Sequence, residues 1–255
     1  MEQNKIAKYF KYAIGEIILV VIGILIALQI NNWNEAKKQE KVEVSYLKRL
    51  VNDLEKDKIL WKNIHDSRKQ KVSIIQNAIA INFNKQKDTI DFQNLATKMK
   101  TALTWSEINP NQNTFSEMLS SGNLDIIKND SIKIKLIALN TFYTSILNWD
   151  KSSEVAHIRI TEVVEPQYSI KDFKPLDPVF TEYVDIQFTK EDVQKAMLSM
   201  QNSLLNIISN EQIINNLDVL SDNYHRQLSA FNELESDVYE LIELIKLEIN
   251  RRSND

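Results

Sequence analysis

Residues 13–30 read AIGEIILVVIGILIALQI, eighteen positions interrupted by one carboxylate and one amide. At 1.5 Å per residue a helix of this length covers about 27 Å, enough to cross a hydrocarbon core. Each Ile, Leu and Val contributes roughly −0.3 to −0.6 kcal/mol to insertion, against about 3 kcal/mol for a charge at the helix centre. Glu16 lies in the first turn, within reach of headgroups. Tyr9, Phe10 and Tyr12 on one flank and Trp33 on the other suit the two interfacial belts. A cleaved signal peptide should carry a shorter apolar core and a small-x-small site. Here bulky residues continue to Ile30, and Gln29-Ile30-Asn31-Asn32-Trp33 offers no such site. The expectation is a retained transmembrane helix over 13–30, a cytoplasmic tail over 1–12 and an extracytoplasmic domain over 31–255. Lys5, Lys8 and Lys11 on a short N-terminal flank give the orientation, with the N-terminus inside and the domain in the periplasm. The lysines at 37, 38 and 41 are interleaved with Glu35, Glu40 and Glu43, which weakens that count.

The composition narrows what the remainder can do. Thirty-one basic against 35 acidic side chains leave a net charge of −4, and 43% of residues are hydrophobic. That supports a sizeable core and argues against nucleic acid as a partner, which needs a basic face. There is no Cys, so disulfide frameworks, thiol nucleophiles and Cys-ligated zinc are excluded. Of three Gly, two lie in the apolar run. Phosphate loops, dinucleotide loops and nucleophile elbows need several close together. No catalytic residue, metal ligand or cofactor is assigned, and an enzyme is the least favoured class. Glu154/His157 and Asp222/His225 have the i,i+3 spacing of helical di-iron sites, but those need two further inward Glu. Surface histidines are the simpler reading.

The fold class is all-α: the anchor, then an antiparallel helical bundle beginning with a long juxtamembrane helix. Leu47, Leu50, Leu54, Trp61, Ile64, Val72, Ile75 and Ile79 form a stripe on a helix from about 36 to 82, with Lys/Glu-rich 35–58 as its solvated face. With no Gly or Pro between Gly23 and Pro110, the anchor can run straight into it. A turn at 82–88 leads to a helix over 91–105 capped by Asp91. Thr114-Phe115-Ser116-Glu117 reads as a capping box whose helix stops at Gly122. Asn129 or Asp130 starts a helix through Ile134, Ile137, Phe142, Ile146, Trp149, Val155 and Ile158 to about Glu165. Residues 166–188, with three prolines, read as an irregular loop, extended near 183–188. Thr189 caps the first of the C-terminal helices, which fill 190–252, with Phe188 stapling onto Val193. Trp61, Trp105 and Trp149 read as core.

Gly23-Ile24-Leu25-Ile26-Ala27 is a small-x-x-x-small motif, and Glu16 lies within about 20° of both small residues around the helix. An intramembrane carboxylate on such a seam points to association with a second copy or a protein partner in the lipid bilayer. The preferred function is therefore a membrane-anchored interaction or scaffold protein. The alternative is an extracytoplasmic small-molecule sensor signalling through a membrane partner.

The stretch KYFKYAIGEIILVVIGILIALQINNWNE resembles the opening of a family of uncharacterised single-span membrane proteins of Bacteroidetes. The similarity extends to Thr114–Asn129, Ser203–Asn210 and Glu240–Ile249. The resemblance implies an all-helical membrane protein and brings no activity with it.

Overall fold

The computed structural model describes residues 3–84, 90–167 and 174–253, and not the side chains of 3–13, 84, 178, 181 and 253. Among the described residues the chain is helical without a strand: α1 (Gln3–Asn84), α2 (Phe92–Leu103), α3 (Asn113–Ser120), α4 (Asp130–Val164), α5 (Pro178–Tyr183), α6 (Lys190–Ser209) and α7 (Glu211–Ser253). The apolar segment does run into the long helix expected after it, because nothing in the sequence breaks α1. It continues to Asn84, so the first residues of the expected turn are helical, and 85–89 lie outside the described residues. Tyr9, Phe10 and Tyr12 lie on α1, their side chains also outside the description.

Two compact units emerge. The first comprises residues 1–53, 112–133 and 242–255; the second comprises 54–111 and 134–241. In the first, Leu47, Leu50, Phe115, Met118, Ile127, Ile132 and Ile245 are buried. In the second, α1, α4 and α7 supply Trp61, Ile75, Tyr143, Ile146, Leu217, Leu220, Tyr224 and Phe231 to the core. There α7 runs antiparallel to α1: Trp61 meets Phe231 and Gln76 meets Ser221. Helix α4 runs in the same direction as α1, with Asp57 against Tyr143 and Arg68 against Asp150. Helix α2 packs on α6.

Local signals fixed most helix ends. Asp91 accepts from the Asn94 amide at 3.0 Å, and Asn129 from Ser131 at 3.0 Å. Thr189 and Asp192 complete a reciprocal capping box. Gly122 has φ +69°, the left-handed conformation that a residue without Cβ adopts freely. The Phe188 ring lies 6.3 Å from Phe180.

Four expectations fail for identifiable reasons. Thr114 does not cap α3, which starts at Asn113 after Gln112 with no side-chain cap. Its amide and hydroxyl instead both donate to Asp53 of α1, at 3.0 and 2.6 Å, so a tertiary carboxylate replaces the local one. Glu117, the other half of the expected box, is drawn to Arg49 and Tyr46. Part of 166–188 is helical: Pro178 takes the first turn of α5, where its missing N–H costs nothing, and Asp177 caps it. On α4, Ile134, Ile137, Val155 and Ile158 are exposed, and the buried face is Ile132, Leu136, Leu139, Tyr143, Ile146, Ser153 and Ile160. Trp105 lies past the end of α2 and is half-buried, as is Trp149.

Candidate functional site

In the first unit the apolar segment of α1 is exposed along its length. The most apolar 18-residue window of α1 has a mean hydropathy of 2.3, and none of it is buried. Glu16 is exposed, and a Cβ added at Gly23 would meet nothing within 4 Å. Ala27 and Trp33 are exposed as well, Trp33 at 64%. By length and composition this segment is a candidate membrane span. Glu16, Gly23 and Ala27 share one exposed face of a single helix.

Below the anchor, unforeseen from the sequence, is a charged clasp. Glu43 is 1% exposed; its carboxylate accepts from the Lys128 amide at 2.7 Å and pairs with Arg252 at 2.9 Å. Glu248 accepts from Asn129 (3.1 Å), Arg251 (2.7 Å) and Arg252 (2.8 Å). Burial pushes the Glu248 carboxyl up, but these three donors outweigh it and hold its pKa below the ordinary value.

The second unit holds a buried polar layer that the sequence reading also missed. Arg68 donates through Nε to Gln227 Oε1 (3.1 Å) and through Nη2 to Asp150 Oδ1 (2.8 Å). Its guanidinium lies 4.3 Å over the Tyr224 ring and 5.5 Å from that of Trp105. One turn on, buried Lys71 donates to the Thr104 carbonyl. His157 stacks on Trp105 at 5.9 Å, and burial, then Lys71, lower its pKa. Burial pushes Asp150 up, against the pull of Arg68 and Gln227. Nearby, Tyr143 donates to Asp57 Oδ2 at 2.9 Å, and the Asn111 amide donates to Asp57 Oδ1 at 2.6 Å. Burial and that carboxylate push the Tyr143 hydroxyl well above the usual phenol range. Every one of these groups is spent on a neighbour, so the layer orients helices.

Lys71 makes that layer pH-sensitive. Burial first, and Arg68 second, lower its pKa to about 8, with Asp150 pulling back. Unfolded, Lys71 returns to its ordinary value near 10.4. Between those values the unfolded chain binds more protons, so stability rises with pH from about 8 towards 10, and below 8 the penalty is constant. Urea unfolding at pH 8 and 9.5 should show a gain on the order of 1 kcal/mol in the wild type that is absent in Lys71→Met. Equal pH responses in the two proteins would mean that Lys71 titrates normally.

Among the described residues no group of three His, Asp or Glu side chains could hold a metal ion. Glu154 and His157 lie on α4, and Asp222 and His225 on α7, with Glu154, Asp222 and His225 exposed.

Among the described residues the architecture is all-α, with one candidate membrane-spanning segment near the N-terminus. Residues 16–173 match DUF6090, a family of unknown function, and since that is more than half of the chain the protein belongs to this family. The match stops short of the similarity read at Ser203–Asn210 and Glu240–Ile249. No curated protein and no solved structure matches the chain.

Proposed function

We propose that this is a single-pass inner-membrane protein that acts by association, joining a second copy or a protein partner through its anchor, rather than by catalysis. The observation that carries the reading is the bare anchor face: a carboxylate and two small residues aligned on an apolar helix with no protein contact. In lipid, apolar side chains gain little by exchanging acyl chains for one another, so close approach and polar pairing drive association. Gly23 and Ala27 allow the approach, and Glu16 supplies a group that prefers a partner to hydrocarbon. The basic N-terminal flank supports a cytoplasmic N-terminus and a periplasmic domain. A C-terminal reporter that works only in the cytoplasm should be silent; an active one would reverse the orientation.

Crosslinking in native membranes tests the seam. Gly23→Ile and Glu16→Leu should each weaken crosslinking several-fold, about 1 kcal/mol per interhelical contact, without changing insertion. Glu16→Gln should be milder because it keeps its hydrogen bonding. Wild-type crosslinking in Gly23→Ile, Ala27→Ile and Glu16→Leu alike would reduce the anchor to a tether. The sensor reading has one feature in its favour, a cleft beside Trp61 in the second unit.

A further inference from the structure

We infer that the cleft between α1 and α7 in the second unit is a binding site for a small apolar zwitterion, an amino acid with an aromatic or branched aliphatic side chain. The cleft holds about 280 Å³. A cavity of about 150 Å³ takes benzene, so this one has room for a ring and a headgroup. Its wall is apolar, made by Trp61, Phe231, Leu234 and Val238. Trp61 is the anchor of that wall: it is 5% exposed, with its ring 5.1 Å from Tyr143 and 5.5 Å from Phe231.

The rim decides the chemistry. Lys62 of α1 and Glu235 of α7 both line the cleft, yet neither makes an ion pair with the other or with any other described residue. The remaining charges on the rim are already engaged. Lys58 sits 5.7 Å over the Tyr239 ring, and Asp66 pairs with His65 at 3.2 Å. One free cation and one free anion facing an apolar wall are complementary to a carboxylate, an ammonium and an apolar side chain on one small molecule. A fatty acid would leave Glu235 unanswered, and an amine would leave Lys62 so. The inference stands apart from the anchor seam, since binding presupposes neither association nor signalling.

Isothermal titration of the full-length protein in lipid nanodiscs tests it, with L-phenylalanine and L-leucine as probes. Three truncated probes accompany them: 3-phenylpropionate without the ammonium, phenethylamine without the carboxylate, and glycine without the side chain. Saturable binding of the two amino acids at or below about 1 mM is expected, with each truncated probe about fivefold weaker or more. Lys62→Ala should weaken phenylalanine about fivefold and leave phenethylamine unchanged, and Glu235→Ala should spare 3-phenylpropionate instead. Both side chains are exposed, so neither change threatens the fold. Absence of saturable binding overturns the inference. So does equal binding of all the phenyl probes, or binding indifferent to both substitutions.

Discussion

Replacing Asp150 by alanine should destabilise the second unit by about 3–5 kcal/mol, the range found when one partner of a buried ion pair is removed. The size follows from what would be left behind. Arg68, Lys71 and Asp150 are 2%, 4% and 4% exposed, and Asp150 is the carboxylate that faces both cations. Without it, a guanidinium bonded only to Gln227 would share a desolvated layer with a lysine one turn away. Asp150→Asn should cost less, because it keeps an acceptor for Arg68 Nη2 but not its charge. Replacing Arg68, Asp150 and Gln227 together by Met, Leu and Leu should recover part of the loss, since it removes the stranded guanidinium while Lys71 stays buried without its carboxylate. Urea unfolding of residues 36–255, followed by far-UV circular dichroism, gives these differences. A loss below about 1 kcal/mol for Asp150→Ala would show that water reaches the pair.

That layer also explains which parts of the fold were legible beforehand. The anchor, the unbroken α1 and the caps at Asp91, Asn129 and Thr189 depend on residues adjacent in sequence, so their signals are local. The core stripe of α1 is a different case. Buried positions step by three, four or, once, seven through 43, 47, 50, 54, 57, 61, 68, 72, 75 and 79, but Glu43, Asp57 and Arg68 occupy three of them. Glu43 and Asp57 fall within the stretch 35–58 that reads as a solvated face, and the sequence assigns Arg68 no role. The signal was present, because the period of the apolar residues predicts that 43, 57 and 68 point inward. What the sequence does not disclose is that Lys128, Tyr143 and Asp150, dozens of residues away, come to meet them. Helix α4 was misread for the same reason. Its buried face carries Tyr143, Asp150 and Ser153, while Ile134, Ile137 and Ile158 lie on the exposed one. Thr114 shows the limit from the other side: a local capping signal is overruled when a distant carboxylate satisfies the same amide better.

The seam and the cleft were differently accessible. Spacing alone placed Glu16, Gly23 and Ala27 on one face, since a single helix determines it. The cleft needs α7 to bring Phe231 and Glu235 beside Trp61 and Lys62, a pairing across about 170 positions that no local pattern encodes.

Glu43→Ala should be the other severe lesion, at about 3 kcal/mol, and its effect should be confined to the first unit. Glu43 is a single carboxylate doing two jobs. One is to accept from the Lys128 amide, two residues before α4 begins; the other is to neutralise Arg252 near the end of α7. Alanine would leave the amide without its carboxylate and transfer the whole charge of Arg252 to Glu248, which already accepts from Asn129 and Arg251. Asn129 would be affected too, because it joins Glu248 through its Nδ2 and caps α4 through its Oδ1. Hydrogen exchange should therefore quicken at residues 128–133 and 242–253 together, with protection in 211–241 unchanged. Glu43→Gln keeps an acceptor for the Lys128 amide but loses the ion pair, so it should quicken 242–253 more than 128–133. A uniform rise in exchange over the whole chain would mean that Glu43 serves global stability. No change at 242–253 would mean that Arg252 is held by Glu248 alone. Acid should reproduce the alanine phenotype in the wild type. The Glu248 carboxyl is held below its ordinary pKa, so its contribution is present above the unfolded value and fades as pH falls through the folded one. Loosening of 242–253 should thus set in only as pH falls below the ordinary Glu value of about 4.3, whereas Glu43→Ala shows it at neutral pH.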